Sequence, residues 1–95
     1  MQKIWKFSLE VTDEQIIEMP ENALMLDIKT QFGKPCMWAL VNPDAEKVKR
    51  KFYTFGTGHD VKVDSSILRH LGTYTMDNDR LVFHVFEIMN WEDVL

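Results

Sequence analysis

A single cysteine in 95 residues rules out an intramolecular disulfide, so Cys36 is not part of the stapled framework of a small secreted domain. No apolar run reaches the length of a membrane span, and the opening MQKIWKF lacks the apolar stretch of a secretory leader. Together these absences lead to the expectation of a cytoplasmic protein. His59, His70 and His84 lack the close pairing of many zinc sites, and one cysteine builds no structural tetrahedral site, so no metal or other cofactor is expected. Positive charge is scarce too. Eleven Lys and Arg against 15 Asp and Glu leave a net charge of −4, which argues against direct binding of duplex nucleic acid. Neither GxxxxGK[ST] nor GxGxxG spacing occurs, so neither phosphate-loop nor dinucleotide chemistry has its motif.

What is present is apolar and aromatic. Hydrophobic residues make up 45% of the chain, and six Phe, three Trp and two Tyr each bring roughly 150–250 Å² of buriable surface. That is enough to order one core and too little chain for two, so residues 1–95 are read as a single globular domain.

Alternation of apolar and polar residues points to strands. Trp5, Phe7, Leu9 and Val11 share one face of a segment whose other face carries Lys6, Ser8 and Glu10. After the turn at 12–15, IIEM ends at Pro20, and the two segments are placed as a hairpin. Leu24, Leu26, Ile28 and Phe32 are read as inward, with Asp27, Lys29 and Gln31 outward, before Gly33-Lys34-Pro35 reverses the chain. CMWALV, apolar throughout, reads as a central strand with Trp38 in the core, like Trp5. Asn42-Pro43-Asp44 resembles a helix cap and first turn, predicting a short helix from Pro43 to about Arg50. Asp64 or Ser65 caps a second, SILRHL, stopped by Gly72. The clearest hairpin turns at Asp77-Asn78-Asp79, and its second strand, with Leu81, Phe83 and Val85 on one face and Val82, His84, Phe86 and Ile88 on the other, is expected to be central.

The fold expected is mainly β, with α+β as the alternative: a small antiparallel open barrel or a curved sheet of about six strands with one or two short helices. Open sheet edges favour a homo-oligomer, most simply a homodimer.

Several segments carry a resemblance: KIWKF at 3–7, TDEQ and IEMP within 12–20, GKPCMWALVNPDA at 33–45, KRKF at 49–52, GTGH at 56–59 and LVFHVFE at 81–87. On these, spread over most of its length, the chain resembles a group of small uncharacterised proteins of tailed bacteriophages. The resemblance implies a phage accessory protein acting in the host cytoplasm and transfers no catalytic residue.

The residues nominate one ligand site. Lys49, Arg50 and Lys51 supply positive charge, while Gly56, Gly58 and His59 could present backbone N–H groups and an imidazole to an anion. The plainer reading of the same residues is a solvated charge run followed by a glycine turn. Cys36 with one of the histidines could form a nucleophile and base, but a small core residue is the simpler account of it. Trp91, in an acidic tail, is a candidate partner anchor. The function expected is therefore non-catalytic: binding and inhibiting a host protein such as a defence factor. The alternatives are sequestering an anionic nucleotide-type small molecule through the KRKF and GTGH segments, or serving as a virion component. No enzymatic activity and no membrane partner are expected.

Overall fold

The computed structural model describes residues 1–89. They form seven strands: β1 (Lys3–Ser8), β2 (Glu14–Pro20), β3 (Leu24–Gln31), β4 (Lys34–Val41), β5 (Lys47–Gly56), β6 (Leu68–Met76) and β7 (Leu81–Ile88). One 3-10 turn, Ser65–Ile67, precedes β6. All ladders are antiparallel, in a three-stranded sheet of order β1-β4-β3 and a four-stranded sheet of order β2-β5-β7-β6. The fold is thus mainly β, as the alternation predicted, with seven strands in two sheets that do not close into a barrel.

One core joins the sheets. Met37, Ala39 and Val41 of β4 and Ile28 of β3 cluster with Met19, Phe52, Tyr74 and Val85 of the other sheet. At the seam between sheets, β3 and β6 lie side by side. A Cβ added to Gly72 would sit 3.0 Å from the Ile28 Cβ, so glycine is what permits this approach, and Thr30 Oγ1 donates to the Thr75 carbonyl at 2.7 Å.

Three expectations need correction. β1 does not pair with β2; its partner is β4, from Lys3 opposite Val41 to Ser8 opposite Cys36. The Pro43–Arg50 helix is absent. Asn42 Oδ1 accepts from the Asp44 amide at 3.1 Å and the Asn42 carbonyl from Ala45, a side-chain-stabilised turn that opens straight into β5. Asp64 does cap a turn, accepting from the Ser66 amide at 2.9 Å, but the helix lasts only through Ile67 before LRHLG becomes strand.

Bulges explain further departures. The β3–β4 register shifts between Met25 and Asp27, so Leu24 and Leu26 are exposed while Ile28 remains buried. Phe32 is not inward either. It is 93% exposed at the β3–β4 reversal, where Phe32 and Gly33 have φ of 52° and 77°, the signature of a type I′ turn in which a bulky side chain is unusual. Trp38 faces away from the core, paired with Lys6 and Asp27 and carrying the Lys29 ammonium 5.6 Å from its ring.

One polar group in the core is anomalous. Tyr74 is 2% exposed, and its hydroxyl has no hydrogen-bond partner among the described residues. Burial pushes the phenol's pKa above its ordinary value, because the ionised form loses solvation. Tyr74→Phe removes the desolvated hydroxyl while retaining the ring's contact with Phe83, 5.3 Å between centroids. The expected result in urea denaturation is a gain of about 1 kcal/mol. The unfolded chain ionises this phenol first, so the wild type should lose stability above about pH 10, and the variant should lose less.

Candidate functional site

β5 holds most of the nominated ligand residues, and its alternation separates them. Phe52 and Thr54 are buried on the inner face, which turns Lys49, Lys51, Tyr53 and Phe55 outward. Arg50 points in with Phe52. Its Nε and Nη2 donate to the two Glu87 carboxylate oxygens at 2.5 and 2.6 Å, and Nη1 donates to the Ala23 carbonyl at 2.7 Å. This planar, two-pronged pairing leaves Arg50 committed to holding β5, β7 and the β2–β3 turn together.

The glycine segment lies at the far end of the same strand. Seven residue steps of extended chain carry β5 from Lys49 to Gly56, about 23 Å. There the His59 amide donates to the Gly56 carbonyl at 3.0 Å, and Thr57 N donates to Val82. The His59 ring folds over Gly56, where an added Cβ would be 2.8 Å from its Cε1, and Gly58 has a φ of 87°. Each glycine therefore has a structural use. The six nominated residues do not converge: Lys49 and Lys51 share the outward face, Arg50 lies within, and Gly56, Gly58 and His59 form a turn at the edge. Trp91 lies outside the described residues.

What β5 and its neighbours do assemble is an aromatic surface. Tyr53 and Phe55 stack with centroids 6.0 Å apart and planes at 24°; Phe86 of β7 meets Phe55 edge-on at 5.9 Å, and His70 of β6 meets Phe86 at 5.1 Å. All four face away from the core. Tyr53, Phe55 and Phe86 are half-buried by one another, and His70 is exposed. Next to them His84 is fixed by two hydroxyls, Thr57 Oγ1 at 2.7 Å from Nε2 and Thr73 Oγ1 at 3.2 Å from Nδ1.

Charge on this surface is mixed. Glu14, Ile16 and Glu18 of β2 lie opposite Tyr53, Lys51 and Lys49. The Lys51 ammonium is 3.6 Å from the Glu14 carboxylate and 5.3 Å from the Tyr53 ring centroid. The face therefore offers rings bordered by alternating signs. Sequence reasoning missed it because FYTF and VFHVF are apolar at adjacent positions, which reads as burial on both sides. The available signal was Lys49 and Lys51, whose charges mark as wet the face they share with Tyr53 and Phe55.

A separate cleft of about 450 Å³ opens between the tips of the two hairpins, lined by Thr30, Gly33, Met76 and the Asp77–Asp79 loop. Its carboxylates, one of which accepts from Thr75 Oγ1 at 2.6 Å, make it a poor receptor for an anion. Cys36 is buried in β4, its thiol 3.5 Å from the Lys34 carbonyl, while His70 and His84 lie on the other sheet. Among the described residues no helix is long and apolar enough to cross a membrane.

Over residues 1–93 the chain matches the family described as a domain of unknown function (DUF7352), and it belongs to that family. No curated protein and no solved structure matches it.

Proposed function

We propose that this chain is a non-catalytic binding protein whose working surface is the outward face of β2-β5-β7-β6, and that its partner is a protein. The carrying observation is the continuous ring contact of Tyr53, Phe55, Phe86 and His70 on a solvent-facing sheet. Small-molecule sites are concave and enclose their ligand, whereas this face is open. Rigid aromatic side chains ringed by paired charges match the anatomy of protein interfaces, where such residues supply most of the binding energy. The resemblance to tailed-phage accessory proteins extends the reading: the partner is then a host protein such as a defence factor, bound and inhibited in the host cytoplasm.

Lys51 beside Tyr53 supports a second reading, a platform on which the ring of an anionic nucleotide-type molecule stacks while lysine meets its phosphate. Tagged protein recovered from a bacterial lysate separates the two. Tyr53→Ala with Phe86→Ala should abolish capture of a protein partner and leave the far-UV spectrum unchanged. Capture that survives both substitutions rejects this face, and a retained mass of a few hundred daltons in native mass spectrometry favours the nucleotide reading.

A further inference from the structure

The three-stranded sheet has its own exposed face, and its residues are arranged for self-association. The registers place Ile4, Leu40 and Leu24 in one row across β1, β4 and β3; Lys6, Trp38 and Asp27 in the next; and Ser8, Cys36 and Lys29 in the third. Ile4 and Leu24 are 61% and 51% exposed, Trp38 and Leu40 between them are half-buried, and Cys36 is buried. In a two-sheet domain such outward positions ordinarily carry polar residues.

From this arrangement we infer that the face binds a second copy of the chain about a twofold axis running along β4. Rotation by 180° about that axis carries β1 of one copy over β3 of the other and leaves each row facing itself. Ile4 then meets Leu24, Leu40 and Trp38 meet their own counterparts, and Lys6 of each copy meets Asp27 of the other. Lys29 falls opposite Ser8, so no like charges are opposed. An axis across the strands would instead set Ile4 against Ser8 and Leu24 against Lys29, burying aliphatic side chains on polar ones. The order of residues across the rows thus selects one of the two symmetric packings. Lys6 now donates to Gln31 Oε1 at 2.9 Å and Asp27 Oδ2 lies 3.8 Å from the Lys29 ammonium, exposed contacts that are readily exchanged, while Asp27 Oδ1 keeps the Ile28 amide at 2.8 Å.

The test is sedimentation velocity of the 95-residue chain over a concentration series from about 1 μM to 1 mM, covering the affinities open to a small interface. A monomer–dimer equilibrium is expected. Lys6→Asp and Asp27→Lys should each weaken it at least about tenfold by opposing like charges, and the double exchange should restore it. Leu24→Ser, at an exposed position, should weaken dimerisation without loss of fold and decides the matter if a charge reversal melts the domain. A monomer throughout the series overturns the inference. So does a dimer indifferent to all these changes, or a loss that the double exchange fails to restore.

Discussion

Glu87→Ala is expected to cost 3–5 kcal/mol, on the order of the penalty for leaving a buried charge without its partner. The Arg50 and Glu87 side chains are only 17% and 9% exposed, and the guanidinium lies between the two sheets where water reaches it poorly. Removing the carboxylate strands that cation, with the Ala23 carbonyl as its remaining hydrogen-bond partner among the described residues. The pair itself is another matter. Arg50→Met with Glu87→Leu replaces both charges by apolar groups of similar reach, and its expected cost is small or even negative, because the desolvation of two ions disappears with their attraction. A urea-denaturation cycle over the four proteins checks this, and a Glu87→Ala loss below about 1 kcal/mol would show that solvent reaches the site. Glu14→Ala supplies the contrast: its partner Lys51 stands on the wet face, with side chains 59% and 24% exposed, so at most about 1 kcal/mol should be lost.

Phe52→Ala should be as damaging by a different route. Phe52 is fully buried on β5, opposite Gln15 of β2 and Glu87 of β7. Truncation removes the ring's transfer free energy and leaves a void that two hydrogen-bonded neighbours keep from collapsing. About 3–5 kcal/mol should be lost, lowering Tm by roughly 12–40 °C in a domain of this size. Against a total stability of about 5–15 kcal/mol, the variant should be partly unfolded at 37 °C, and near-ultraviolet circular dichroism reads that directly. Phe55→Ala, three residues on and facing outward, should retain its near-native melt.

These two neighbouring phenylalanines show what the sequence could and could not disclose. Strand character in β1, β4 and β7, the reversal at Asp77–Asp79 and the Asp64 cap were legible because each depends on residues close in the chain. So was the central place of β4 and β7, from their two-sided apolar composition. The face presented by each residue of β5 was not legible, because Arg50 occupies an inward position and breaks the alternation that Val48, Phe52 and Thr54 would otherwise spell out. Its reason for being inward is Glu87, 37 residues away. Likewise Ile67, Leu68 and Leu71 fall at helical spacing, but the register of β6 shifts between His70 and Gly72, and the bulge supplies the irregularity that a helix would have explained. The asparagine and aspartate after Val41 can begin a helix or stabilise a turn, and the pairing of β5 with β2 and β7 decided between them. The nominated anion site failed to converge for the same reason. Residues within one short stretch, 49–59, are dispersed by an extended strand where a helix would have kept them closer together.

The pairing of β1 with β4 also sets an order in time. Of the five ladders among the described residues, only β3–β4 and β6–β7 join strands consecutive in the chain. Those hairpins close short loops and can form within microseconds, whereas β1 must wait for β4 and β2 for β5, each after a longer search. During synthesis β1 and β2 leave the ribosome before β4 and β5, with their backbone edges unpaired. For that interval β1 and β2 are open to pairing with a neighbour, and completion of β4 and then β5 ends the exposure.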